Sequence, residues 1–453
     1  MNLIIRKFCA YGLLVLLISC QGGKGKETMP NIIVILADDM GWNQLGCYGG
    51  PYQTPNIDGL AAGGMRFTNA YASAAVCSPT RAALMTGKFP ARLHLTDYIK
   101  GSLCPDSLLK QPDWQKYLPL EEITLGEVFS EHGYRTAIIG KWHLSIEKQP
   151  PESRPYNPDK QGFDDYMVTY KPVRRLTDPE HDPHNVDSIT NAAIKFMEDN
   201  RQQPFLMVVS HNSIHDPVME SQERTLAYSE LYPVPALGVV PELGAMVSRL
   251  DDGTGRLLKR LDELGLEENT IVFFCSDNGG KETYASQSPF RKGKGWLYEG
   301  GIRVPMIVRW PGRVEAASQN ATITYSIDIL PSLLELGKLP ALDHPIDGIS
   351  IAGELLGKGH MEERILYWHY PHYHRGSGMK PASAIRKGKF KLIEWHESFL
   401  KGEFAWEVFD LETDPGEKQN LSAEYPEILE ELRMDLHQWR GEINAQMPEI
   451  YPE

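Results

Sequence analysis

Three carboxylates and one amide, Asp38, Asp39, Asp277 and Asn278, come in two pairs far apart in the chain. Each pair closes an apolar run, "NIIVILADD" (31–39) and "TIVFFCSDNGG" (270–280). All four side chains offer oxygen, a set that suits a hard cation, Ca²⁺ before Mg²⁺, and suits Zn²⁺ poorly for want of nitrogen or sulfur. One Asp after a strand is commonly a cap or a turn; two such pairs on strands of one sheet point to a metal site. Basic residues arrive in the same way. "RTAIIGKWH" (135–143) delivers Lys141 and His143, "PFLMVVSHNSIH" (204–215) delivers His211 and His215, and "RKGKGWLYEGGIRVP" offers Lys294. Singly, each reads as a solvated charge or a structural histidine. Together with a cation they form a cage able to neutralise a tetrahedral oxyanion ester.

A cysteine stands beside these groups in the segment "AAVCSPTRAALMTG" (74–87). The pattern predicts a helix with Ser78 as N-cap, Pro79 at the first helical position and Gly87 as the stop. Cys77 then sits where free N–H groups point outward and stabilise negative charge, with Arg81 one turn in. Most cysteines are small buried thiols. As a nucleophile toward such an ester a soft thiolate is a poor match, and an oxygen nucleophile fits better.

The elements that must position these residues are legible as continuous Ile/Val/Phe runs separated by amphipathic stretches. That is the pattern of a mostly parallel sheet covered by helices, an α/β fold whose ligands bind beyond the carboxyl ends of the strands. Residues 144–190, rich in Pro, Asp and basic groups, read as loops above the sheet. Near 343–350 the pattern changes to shorter alternating runs and a polar helix from about Pro426 to Ile443. This predicts a smaller C-terminal α+β unit (343–453), an antiparallel sheet plus a helix, beside a catalytic domain spanning 29–342.

The first nineteen residues, with Arg6, Lys7 and an apolar run too short to span a bilayer, read as a signal peptide. "LISC" (17–20) resembles the bacterial lipoprotein cleavage box, which would make Cys20 the lipid-bearing first residue, followed by a tether over 20–28. The protein is expected in the periplasm or outer membrane, touching a membrane only through that anchor. Of six cysteines, those left after Cys9, Cys20 and Cys77 are Cys47, Cys104 and Cys275, an odd number that implies no disulfide framework. A formal net charge of −14 argues against nucleic acid as a partner and requires any anion pocket to be locally positive.

With these residues in place, "CSPTRAALMTG" resembles the C-x-P-x-R signature of the type I sulfatases, within the alkaline phosphatase superfamily. "LADDMGW", "GKWHL", "DNGG" and "GKGWLYEGGIRVP" look like that family's other landmarks in their order, and the likeness runs from about residue 29 to the end. The resemblance implies that a maturing enzyme oxidises Cys77 to formylglycine, whose hydrate supplies the oxygen nucleophile, aided by a Ca²⁺ ion and Arg81. It implies that His143 assists sulfate release, that His215 protonates the leaving alcohol, and that Lys141 and Lys294 hold sulfate oxygens. The chain departs from the pattern at "SHNSIHDP", with His211 where an aromatic is usual and Ile214 where proline is common. "LYWHYPHYHRG" (366–376) looks like a segment of carbohydrate-directed bacterial members. It reads either as a packed strand and turn or as a sugar-binding wall carrying Trp368, His369, His372 and His374, with His372 and His374 as substrate contacts. The expected substrate is a sulfated mono- or oligosaccharide. Two rivals stay open: a phosphoester or phosphonate hydrolase on the same scaffold, and a surface glycan-binding lipoprotein with a dead centre.

Overall fold

The structure, a computed structural model, describes residues 29–102, 104–146, 154–231, 240–359, 361–401, 403 and 405–451. The expected signal peptide and tether, with Cys20, lie outside these residues. Eight strands form the central sheet in the order Ser318–Asn320, Met65–Phe67, Met306–Arg309, Thr270–Ser276, Asn31–Ala37, Phe205–Ser210, Arg135–Gly140, Asp165–Val168. All run in one direction except Met306–Arg309, which opposes both of its neighbours.

The three central strands are buried along their whole length, which is why they read as unbroken apolar runs rather than alternations. Successive side chains still part to opposite faces. Ile32, Val34 and Leu36 pack with Phe129, Trp142 and Leu330 on one side. Ile33, Ile35 and Ala37 pack on the other with Ile189, Phe196, Leu250 and Leu257, from the helices Val186–Asn200 and Pro241–Glu263. Residues 144–190 are not all loop. Asp165–Val168 pairs with Arg135–Gly140 as an edge strand, half-buried and therefore without an apolar run, and the helix from Val186 begins inside the segment.

Four antiparallel strands, Ile365–Tyr370, Ala382–Lys387, Phe390–Trp395 and Trp406–Asp410, follow in chain order, with the helix Pro426–Glu442 packed against them. Their inner face shares one apolar cluster with Tyr71, Val76, Ala83 and Phe89. Ile351, Ala352 and Leu355, beyond the expected division at 342, still pack into the larger core. Among the described residues no helix is long and apolar enough to cross a membrane, and Cys47, Cys77, Cys104 and Cys275 are free thiols.

Candidate active site

The carboxyl ends of adjacent strands bring the acidic pairs together. Asp38 and Asp39 follow Asn31–Ala37, and Asp277 and Asn278 follow its parallel neighbour Thr270–Ser276, with Ala37 opposite Ser276. The Asp39 N–H donates to Asp277 Oδ1 (3.1 Å), and Asn278 Nδ2 donates to Asp39 Oδ1 (2.9 Å). All four residues are buried. Lys141 Nζ donates to Asp38 Oδ2 (2.7 Å), Lys294 Nζ to both oxygens of Asp39 (2.5 and 2.7 Å), and Arg81 Nε to Asp277 Oδ2 (2.8 Å). Two buried oxygens, Asp38 Oδ1 and Asn278 Oδ1, have no hydrogen-bond partner among the described residues. Buried acceptors are otherwise nearly always paired. An all-oxygen set with two such acceptors fits a hard divalent cation. Oxygens of Asp38 and Asp277 also lie within 4.8 Å of Cys77 Sγ.

Burial works against every charge here, and the local lattice decides which carboxyl overcomes it. At Asp38 desolvation is outweighed by Lys141, then His215, Arg81 and Lys294, which hold it well below the usual carboxylate range. Asp39 is lowered in the same way by His215 and Lys294. Asp277 goes the other way, to about 7, because burial and the neighbouring Asp38 exceed the pull of Arg81.

Cys77 opens the helix Cys77–Thr86, all of whose residues are buried. The N-cap is Val76, with no side-chain cap bond, rather than the expected Ser78. A tertiary partner takes the Ser78 hydroxyl, which accepts from the Ile99 N–H (3.1 Å). Gly87 ends the helix as expected, at φ 67°. Arg81 reaches from the first turn to the strand ends, donating also to the Lys141 carbonyl (3.2 Å) and Ser210 Oγ (2.6 Å). Cys77 Sγ lies 3.2 Å from His143 Nδ1, while His143 Nε2 donates to the Ile99 carbonyl (2.6 Å). That second bond places a proton on Nε2 and turns the acceptor nitrogen toward residue 77.

Above this floor opens a cleft of about 560 Å³, lined by Cys77, Lys141, His143, His215, Lys294 and His374 among others. His215 Nδ1–H donates to the Asp216 carbonyl (2.6 Å), which leaves Nε2 toward Asp39 Oδ2, 3.7 Å away. The two candidate substrate histidines part company. His374 lines the cleft beside Tyr98, and burial with Lys294 nearby holds it down at about 4. His372 does not line it. The ring is fully buried, with Nε2 bonded to Thr96 Oγ1 (2.7 Å), between Trp114 and Tyr370. Trp368 and His369 belong to the Ile365–Tyr370 strand as packed residues, Trp368 bonded to the Ala72 carbonyl and His369 to Ser383. His211 is likewise buried and does not line the cleft, and burial pushes it down to about 4. Sequence reasoning missed Tyr98, Lys100, Lys171, Asp216, Lys281 and Trp296, which also face the cleft. They stand on irregular segments, and only "HDP" and "GKGW", next to residues already singled out, pointed to Asp216 and Trp296.

A buried oxygen-donor cluster, a ring of cations and a buried thiol at a helix start, all at one edge of a mostly parallel sheet, form an arrangement suited to an oxyanion ester. The chain belongs to the sulfatase family: the sulfatase family model matches residues 30–339, and the model described as N-sulphoglucosamine sulphohydrolase, C-terminal, matches 291–442. It is 30% identical to arylsulfatase A of Homo sapiens over 92% of this chain and 89% of that one. It is also 30% identical to N-acetylgalactosamine-6-sulfatase of Canis lupus familiaris over 97% and 91%. Among solved structures it resembles Ps i-CgsB in complex with k-i-k-neocarrahexaose, with 25% identity, coverage of 91% and 93%, and a TM-score of 0.76. The activity class is sulfuric ester hydrolysis.

Proposed function

We propose that this enzyme is an exported, lipid-anchored sulfatase that removes sulfate from the ends of sulfated glycans, using a formylglycine made from Cys77 by a maturing enzyme and one bound Ca²⁺. The observation that carries the reading is the 3.2 Å approach of Cys77 Sγ to His143 Nδ1, with carboxylate oxygens of Asp38 and Asp277 within 4.8 Å of the same sulfur. Asp38, Asp39, Asp277 and Asn278 would hold the cation, which supplies positive charge to sulfate oxygens. As its hydrate, the oxidised residue 77 supplies one oxygen to attack sulfur and a second whose deprotonation expels sulfate.

The chain's own groups divide the remaining work. His143, with Nε2 committed to Ile99, accepts a proton at Nδ1 from the side chain at 77. Lys141, Lys294 and Arg81 are gathered at the same strand ends by Asp38, Asp39 and Asp277, and present positive charge to a tetrahedral anion. His215 Nε2 donates to the leaving alcohol. Tyr98 and Trp296, on the cleft wall, offer apolar faces to a sugar ring. Support for a glycan comes from that wall, from the relative named for N-acetylgalactosamine, and from the neighbour bound to a neocarrahexaose.

The test is a screen of defined sulfated mono- and disaccharides, with matched phosphate monoesters, on the matured protein in saturating Ca²⁺. Sulfate release from sugars is expected, with none from Cys77→Ala despite an unchanged circular-dichroism spectrum. Faster release of phosphate would overturn the choice of ester. Unmodified Cys77 in the peptide mass spectrum of protein from its native host would favour a dead binding protein instead. Mass analysis of the mature N-terminus tests the lipid on Cys20.

A further inference from the structure

We propose that the cleft carries a second anion-binding subsite, formed by Lys171 and Lys281, that reads a second sulfate on the sugar that leaves. This rests on the reading of the site as a glycan-desulfating centre, with His215 serving the leaving alcohol.

The first argument is charge. The chain has 60 acidic residues against 46 basic ones, yet the cleft is lined by five lysines and only two acids, Asp216 and Glu282. Lys141 and Lys294 are buried and bonded to Asp38 and Asp39, and belong to the ester being cleaved. A sulfate monoester carries one negative charge, and those two lysines, Arg81 and a cation already meet it. The outer ammonium groups exceed what that ester needs.

The second argument is position. Lys171 Nζ lies 3.4 Å from His215 Nδ1, and Lys281 Nζ lies 3.2 Å from Asp216 Oδ2, which is bound up with the same imidazole through Asp216 Oδ1 at 3.0 Å. The two lysines come from different elements, one just past the edge strand Asp165–Val168, the other just past Thr270–Ser276. They converge on the side of the cleft where the alcohol departs. One carboxylate, Asp216, faces both Lys171 and Lys281 there and offsets only part of their charge. A ring substituent with a negative charge would complete the balance through charge-assisted bonds. A merely solvated pair of lysines has no reason to flank the leaving-group residue in a protein of the opposite sign.

The test compares the best monosulfated monosaccharide from the screen with its disulfated counterpart, for example N-acetylgalactosamine 6-sulfate and 4,6-disulfate. On the matured enzyme the disulfated sugar is expected to show about tenfold higher kcat/KM. Lys171→Gln and Lys281→Gln should each shrink that ratio, chiefly by raising KM for the disulfated sugar. Calorimetric titration of Cys77→Ala with both sugars gives the same comparison without turnover. A wild-type ratio near one, or variants that weaken both sugars equally, as a general attractive field would, overturns the subsite while leaving the glycan reading intact. Turnover of no sugar at all overturns that reading and the subsite with it.

Discussion

His143 is gripped from both sides, its Nε2–H by the Ile99 carbonyl and its Nδ1 by the side chain at 77. Under the proposed mechanism, removing the ring takes away a proton acceptor but not the charges assigned to sulfate. His143→Ala is therefore expected to lower kcat by about 10²- to 10⁴-fold with a much smaller change in KM, read by steady-state sulfate release. The loop that carries Ile99 is itself tied down by Asp97, whose carboxylate accepts from the Tyr98 N–H (2.8 Å) and the Tyr370 hydroxyl (2.7 Å). Burial pushes the Asp97 carboxyl up to about 7 despite these bonds. A proton is thus held more tightly in the folded chain than in the unfolded one. The stabilisation is full below the ordinary carboxylate value near 4 and is lost as pH rises through about 7. Asp97→Asn keeps the acceptor oxygen and abolishes the titration, so melting temperatures from pH 5 to 8 should fall less steeply in the variant, which becomes the more stable protein at pH 8. At this scale the sequence revealed Asp38, Asp277, Lys141 and His143, because each ends an apolar run and such runs end at one sheet edge. It could not separate His372 from His374. Both follow a strand in an irregular turn, where no periodicity says which ring faces solvent and which is taken by Thr96.

Gly140 shows how an element sets the site. It sits at φ 118° opposite Ser210 in the parallel ladder, and a Cβ built there would lie 1.8 Å from the Ser210 carbonyl oxygen. That same oxygen accepts from the Lys141 N–H (2.7 Å), and Arg81 bonds both the Lys141 carbonyl and Ser210 Oγ. Gly140→Ala must spread the two strand ends that aim Lys141 and Arg81. A loss of about 3 kcal/mol in urea unfolding is expected, with a drop in kcat/KM that outlasts correction for unfolded protein. The strands Asn31–Ala37, Arg135–Gly140, Phe205–Ser210 and Thr270–Ser276 were legible because burial leaves mostly apolar residues, while Met65–Phe67, Met306–Arg309 and Ser318–Asn320 are too short to show a pattern. The edge strand Asp165–Val168 was not legible either, since one exposed flank lets polar residues in. Ser78 misled for a different reason: its hydroxyl suits a cap, but a partner distant in sequence, Ile99, claimed it.

Across the whole molecule, the four-stranded sheet is joined to the rest of the chain by a charged cluster as well as an apolar one. Lys391, in the strand Phe390–Trp395, is fully buried and donates to Glu299 (3.0 Å) and Glu417 (2.8 Å), while Glu299 also accepts from the Tyr71 hydroxyl, and Arg386 donates to that same oxygen. Deleting one member leaves the others charged and without solvent. Lys391→Ala is expected to destabilise by about 3–5 kcal/mol in chemical unfolding, and because this network braces the segment running back to Lys294, activity should fall at lower denaturant than in wild type.

The helix that begins at Cys77 has no exposed residue, and Cys77 itself is 1% accessible. On the proposal that a second enzyme oxidises this thiol, that enzyme would have to reach a residue which the finished fold keeps in the first turn of a buried helix, at the floor of the cleft. Under the proposed maturation, conversion is expected while the chain is still emerging or held open, before this helix docks. On the same proposal, protein folded before oxidation is expected to stay inert until it is unfolded again.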